Sequence, residues 1–251
     1  MKNLLSFIVL LVFITNTAFS QELENEEKEK RVVKNEISFE ALQLVNGVYQ
    51  ISYERYIWNN FSAALAVGYK GKEGLVNFSG LDYTGPNGGR LETNDLFYTG
   101  YQIIPEIRYY LKNTSKGNLN GFYLGLYFKF SQYTSDLTGK YTATDNTPYQ
   151  VEFEAKLNIA STGLMIGYKL PITKRFNIDF IIAGPGAGDY NFRIINKKDL
   201  PDEFYNNLNE ALEEYSVLDF INSDFRFSKV DSRSKFSAFS FRYGIALGYT
   251  F

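Results

Sequence analysis

The sequence predicts a closed antiparallel transmembrane β-barrel, all-β, of about eight strands, with one helix in a long external loop. Three observations carry that expectation. Apolar and polar residues alternate in segment after segment, the connections between segments are alternately short and long, and the bulky side chains of each segment gather on one face.

The segments follow one another along the chain. Residues 36–45 lead through Asn46-Gly47, a two-residue hairpin signal, into 48–57. Trp58-Asn59-Asn60 turns into 61–70, and a loop rich in Gly, Asn and Asp fills 71–95. Residues 96–112 and 121–133 flank a short polar turn, and a loop over 134–147 precedes the long run 149–170. Pro171-Ile172-Thr173-Lys174 turns into 175–188, an insertion spans 189–232, and 233–251 is the last strand. Short turns then lie at one end of the barrel with both chain ends, and long loops at the other, as in barrels with short periplasmic turns and long external loops.

Side-chain volume decides which face is outside. In the last strand Phe239, Phe241, Tyr243, Ile245, Leu247, Tyr249 and Phe251 oppose Ser240, Arg242, Gly244, Ala246, Gly248 and Thr250. In 61–70, Phe61, Leu65, Val67 and Tyr69 oppose Ser62, Ala64, Ala66 and Gly68. An eight-stranded bore is just wide enough to be filled by side chains, so it holds the small face and not the bulky one. The bulky face must point outward, and outward must then be lipid. Two local irregularities are expected. Pro105 lacks a ladder donor and predicts a bulge. In 149–170 the apolar parity changes, from Val151, Phe153, Leu157 and Ile159 to Leu164, Ile166 and Tyr168. That change requires either a bulge near residues 160–163 or an upper half that stands beyond the bilayer.

The ends and the composition bound the rest. Lys2, an apolar run over 4–14 and Ala18-Phe19-Ser20 form an export signal, which gives a signal peptide over 1–20. Mixed charge over 21–35 predicts a flexible periplasmic tail, with the barrel over 36–251. No later run approaches the ~18 apolar residues of a membrane helix. The chain has 0 cysteines and 0 histidines, which excludes disulfides, Ser-His and Cys-His catalysis, and the commonest transition-metal ligands. No cofactor is expected. Lys and Arg total 26 against 28 Asp and Glu, so no basic field points to nucleic acid.

The charges that alternation turns inward are Glu54, Lys70, Glu106, Arg108, Lys112, Lys129, Asp179 and Arg242. In a narrow bore they are expected to plug the lumen by pairing, Arg242 with Glu54 or Glu106, rather than to line an ion path. Gly184-Pro185-Gly186-Ala187-Gly188 lacks the Lys-Ser/Thr of a phosphate loop and predicts a strand kink. Within the insertion, Pro201 opens a helix that reaches Tyr215, with Phe204, Leu208, Ala211, Leu212 and Tyr215 on one face. That stripe packs as a lid on the barrel mouth, or the acidic face of Asp202, Glu203, Glu210, Glu213 and Glu214 meets an extracellular partner or cation.

The segment from Arg242 to the terminal Phe251 resembles the C-terminal assembly signal of outer-membrane proteins. The resemblance implies that the barrel-assembly machinery reads Tyr243, Ile245, Leu247, Tyr249 and Phe251. Ser52-Tyr53-Glu54-Arg55, Leu65-Ala66-Val67-Gly68-Tyr69 and Pro105-Glu106-Ile107-Arg108-Tyr109-Tyr110 resemble a family of uncharacterised small bacterial outer-membrane β-barrel proteins of unknown function. This implies the fold and the cell outer membrane of a Gram-negative bacterium, with lipid as the surrounding partner, and no catalytic residue. It does not extend to 189–232. The expected role is therefore non-enzymatic: a structural or surface-display barrel with a plugged lumen, whose loop 189–232 can meet an extracellular partner. A narrow transporter of small or apolar molecules is the alternative.

Overall fold

The computed structural model describes residues 34–72, 74, 80, 82–85, 88–95, 97–111, 119–214, 226–229 and 232–251. The expectations for 1–33, for Lys112 and for the helix beyond 214 lie outside them. The elements are β1 (Asn35–Glu40), β2 (Val48–Trp58), β3 (Phe61–Lys70), β4 (Asp82–Thr84), β5 (Arg90–Thr93), β6 (Phe97–Tyr110), β7 (Gly121–Thr142), β8 (Pro148–Pro171), β9 (Phe176–Asn196), α1 (Asp202–Glu214) and β10 (Ser232–Thr250).

Eight strands close a ring by antiparallel pairing, in the order β1-β2-β3-β6-β7-β8-β9-β10 and back to β1. The hairpin β4-β5 adds to the far end of β7. Stepping from partner to partner fixes the stagger: Ser240, Gly186, Gly163, Tyr127, Glu106, Ala64, Glu54, Glu36, and back onto β10 at Thr250, ten residues along. Such a stagger tilts the strands by about 35–45° and leaves a bore that side chains fill. Every residue on that path faces inward, so strands far apart in sequence turn their side chains into one bore.

The wall has two zones. On the outer face of β7, Phe122, Leu124, Leu126, Phe128 and Phe130 are exposed, and above them come Gln132, Thr134, Asp136, Thr138 and Lys140. β8 repeats this, with Leu170, Ile166 and Leu164 below and Asn158, Lys156, Glu154 and Glu152 above. The inner faces do the opposite. Glu54, Glu106, Arg108, Lys169 and Asp179 are buried inside the lower zone, whereas Tyr141, Val151, Phe153 and Ile194 are buried inside the upper one. The parity change in 149–170 is therefore no bulge near 160–163. Odd residues point inward at both ends of β8, and its pairing with β7 runs unbroken from Lys169 to Pro148. The faces exchange polarity because the surroundings change with height.

Other expectations are corrected in the same way. Pro105 keeps register with Leu65 on one side, and on the other Ile103 and Glu106 stay in step with Phe130 and Tyr127, so no bulge forms there. The irregularities fall instead between Tyr56 and Trp58, between Ile166 and Gly167, and between Arg242 and Gly244. The 184–188 run does not break β9. Its inward glycines clear room for a ring, since a Cβ on Gly186 would lie 2.8 Å from the Tyr127 hydroxyl. The first strand ends at Glu40 rather than 45. The Glu40 carboxylate accepts the N–H groups of Leu42 (3.3 Å) and Ile245 (2.8 Å), and Leu42–Asn46 winds into a 3-10 turn closed by Gly47 at φ 69°. Long pairing carries β7, β8 and β9 past their expected ends, so the insertion shrinks to 197–231.

The two faces of β10 give a direct check. Leu247 is exposed on the outer face and Ala246 is buried on the inner one. Leu247→Arg should destabilise the folded barrel by about 2 kcal/mol in lipid, while Ala246→Ser should be nearly silent. Refolding titrations in lipid measure both, and the reverse order would contradict the face assignment.

Candidate functional site: the closed lumen

The ring geometry brings six strands to one ion network. Arg108 on β6 donates Nη1 to Glu54 (3.0 Å) on β2 and to Asp179 (2.6 Å) on β9, and Nε to Glu106 (2.9 Å). Lys169 on β8 donates to Glu36 (2.8 Å) on β1 and to Glu54 (2.6 Å). Arg242 on β10 closes the set with Nη2 at 2.6 Å from Glu106. Hydroxyls and an amide take remaining lone pairs: Tyr110 and Ser62 donate to Glu54, Tyr123 to Asp179, and Asn177 to Glu36. The guanidinium of Arg108 also lies 4.7 Å from the Tyr123 ring centroid. These side chains are almost wholly removed from solvent, with Lys169 at 0%. Ions so placed are stable only when each meets opposite charge and hydrogen-bond partners, and here they do.

The structure thus unites Glu54, Glu106, Arg108, Asp179 and Arg242, and chooses Glu106 over Glu54 as the partner of Arg242. It does not bring Lys70 or Lys129 into the network. Lys70 ends the inner face of β3, donates to the Gly71 carbonyl at 2.6 Å and lies 4.6 Å from the Tyr98 ring. Lys129 points inward from β7 one rung above Tyr127. Sequence reasoning missed Glu36, Glu40 and Lys169. The signal was present: Glu36 and Glu40 alternate with Ile37 and Phe39, and Lys169 shares parity with Gly167 and opposes Tyr168 and Leu170.

Two further tiers lie above. The 3-10 turn sends Gln43 across the bore, where Gln102 donates to it (3.0 Å) and to Gln50 (2.6 Å), and Tyr133 donates to Gln102 (3.3 Å). Higher still, α1 lays Phe204 and Leu208 on Leu91, Tyr141, Val151, Phe153 and Ile194. Phe204 stacks on Phe153 at 5.8 Å and meets Tyr141 edge-on at 5.2 Å. Asn207, buried beside them, donates to the Tyr141 hydroxyl at 2.9 Å. Of the apolar stripe expected to pack as a lid, Phe204 and Leu208 do so, while the side chains of Ala211, Leu212 and Tyr215 are not among those described; Glu203 from the first turn accepts from Thr144.

Chemically the lower tier is four carboxylates, Glu36, Glu54, Glu106 and Asp179, each in contact with at least one of three cations, Arg108, Lys169 and Arg242. Among the described residues no group of three or more potential ligands could hold a metal ion.

Removing one cation exposes what the network is worth. Lys169→Met leaves Glu36 and Glu54 short of a partner and should cost about 3–5 kcal/mol. Arg90→Ala, which breaks the solvent-screened contacts with Asp82 and Glu92, should cost far less. Denaturant titrations compare the two, and equal losses would contradict the closed-network account. The upper tier predicts a pH effect. Burial first, and then the Glu203 charge, push the Tyr141 phenol up to about 12 from the ordinary 10.0. The folded cap favours the neutral phenol, so its stability holds below the ordinary value and declines as pH climbs toward the raised one. A tyrosinate absorbance titration should lose a component near the raised value in Tyr141→Phe; an unchanged curve would contradict it.

Comparison with known proteins gives the following. The crystal structure of CarO from Acinetobacter baumannii shares 14% identity, covers 90% of this chain and 100% of that chain, and has a TM-score of 0.39. A major outer membrane protein from Thermus thermophilus shares 10% identity over 88% of this chain and 100% of that chain, with a TM-score of 0.34. No curated protein matches the chain. Residues 7–200 match the family described as protein of unknown function, DUF3575, and the chain belongs to that family.

Proposed function

We propose that the chain spans the outer membrane as a non-enzymatic, non-conducting barrel whose raised walls and capping helix form a surface platform. The observation that carries this reading is the exchange of polarity with height. Below, the wall is apolar outside and charged inside, which suits lipid around a filled bore. Above, it is polar outside and apolar inside, which suits a water-exposed fold. The wall stands highest at β7, β8 and β9, with α1 following from β9, so the chain invests its length in a structure outside the membrane.

Location and assembly belong to the same proposal. Export by a signal over 1–20 and reading of Tyr243, Ile245, Leu247, Tyr249 and Phe251 by the barrel-assembly machinery would deliver the barrel. The exposure of Tyr243, Leu247, Tyr249 and Phe251 on the outer face of β10 supports the second step. An extracellular partner would meet residues 197–231, where Asp202 and Glu210 are exposed on α1.

Planar-bilayer recording tests the closed bore: the protein should show negligible conductance. Stable, wide conductance would overturn this reading in favour of a transporter. Deleting Phe251 should lower the amount of heat-modifiable barrel in the outer membrane without changing export across the inner membrane; equal amounts in variant and parent would remove the assembly step.

A further inference from the structure

Above the apolar belt the outer wall carries its charges in two ways. On β8 and just after β9 opposite charges are joined: Lys156 and Lys197 each reach Glu154 at 2.5 Å, and Lys198 lies 3.5 Å from Glu152. Towards β10 that pattern breaks. One rung sets Lys156, Arg193 and Arg233 side by side on three successive strands, and Lys235 follows one same-face position below Arg233. Residues directly opposite on one face of an antiparallel pair bring their Cβ atoms to about 5 Å, and like charges so placed repel. Arg233 and Lys235 are exposed, whereas Ser232 and Ser234, which alternate with them, are buried, so both cations point out of the barrel. Neither makes an ion pair with a described carboxylate. Asp189, one rung below Lys235 on β9, is engaged by the Ser237 hydroxyl at 2.5 Å.

The height of this row matters. Down the same face of β10 come Ser237 and then Phe239, Phe241 and Tyr243, all three rings exposed. Lys235 stands four residues above Phe239, about 13 Å along the strand and less in height because the strand tilts. Lipid headgroups fill about 5–7 Å beyond each face of a hydrocarbon core, and lysine and arginine stems carry their charge farther along a surface. Cations at that height beside an apolar belt meet a phosphate layer, and each basic group so placed favours anionic lipid. Elsewhere the belt ends without them: in Tyr69 on β3, in Tyr101 on β6 and in Gln132 above Phe130 on β7. The basic row marks one sector of the wall.

We infer that Arg233 and Lys235, with Arg193 and Lys156 beside them, form a docking surface for the phosphate groups of anionic lipid in the leaflet around the raised wall. The guanidinium fork takes phosphate oxygens in pairs, the ammonium adds a compact charge, and the bound phosphates offset the repulsion between Arg193 and Arg233. The inference rests on the platform reading, which sets the lower wall in lipid, and gives that platform a lipid partner on one side.

Electron spin resonance tests it on the full chain reconstituted in phosphatidylcholine bilayers that carry a trace of spin-labelled phosphatidic acid or spin-labelled phosphatidylcholine. The parent should hold phosphatidic acid at its surface in preference to phosphatidylcholine. Arg233→Gln combined with Lys235→Gln should lower that preference by about threefold or more. Arg90→Gln combined with Lys140→Gln removes the same charge farther up the wall, where Arg90 and Lys140 lie on paired strands, and should leave the preference unchanged. Heat-modifiable mobility shows that each variant is folded. No preference in the parent, an undiminished preference in the Arg233 and Lys235 variant, or equal losses in the two double variants would overturn the inference. A barrel that inserts without lipid preference leaves the platform reading standing, whereas one that fails to enter the bilayer removes both.

Discussion

Glu54 is the residue on which the interior turns. It accepts from Arg108, Lys169, Tyr110 and Ser62, and those four donors come from β6, β8 and β3. A carboxylate at that depth is tolerable only because so many donors reach it, and they reach it only because the ring closes with a ten-residue stagger. The dependence runs both ways. Once the charges are paired across the bore they tie β1, β2, β6, β8, β9 and β10 into one register, since slipping any strand by one residue would turn its charge toward the apolar outer face.

The exchange of polarity along β7 and β8 follows from a second constraint. A strand side chain has only two faces to choose from, and each face must suit what it meets. The lower outer face is apolar, so the inner face is left to take Tyr123, Tyr127 and the ions. The upper outer face is polar, so apolar residues are free to turn inward and need a cover. Phe204 and Leu208 of α1 provide it. The lid is thus a consequence of extending the strands beyond the apolar belt, because an open upper barrel lined by Val151 and Phe153 would expose a contiguous apolar surface to water.

The lower barrel was legible in the sequence because bulk and alternation coincide there. In β3, and in β10 from Phe239 onward, every large apolar residue sits on one parity, and volume alone forces it outward. Legibility fails where the two signals separate. Lys169 lies in a segment whose upper half is apolar on the inward parity, so the apolar rule assigns its face ambiguously, and the ion that joins Glu36 to Glu54 goes unnoticed. The turn at Asn46-Gly47 carries the signature of a tight hairpin, but the Glu40 side chain captures backbone N–H groups and stops the strand earlier. The contact of Gln43 with Gln102 spans 59 residues and depends on the closed ring. Pairing of Arg242 with Glu106 rather than Glu54 is of the same kind: composition requires a partner, and only the stagger selects it.

Closure of the bore depends most directly on the coupling between Glu54 and Arg108, which touch at 3.0 Å across two strands that are not neighbours. A double-mutant cycle with Glu54→Gln, Arg108→Met and the pair, followed by reversible unfolding in lipid, isolates that term from the separate costs of each change. If the bore is closed by this network, the two substitutions together cost less than their sum, with a coupling of about 2 kcal/mol. Losses that add within about 0.5 kcal/mol would contradict it.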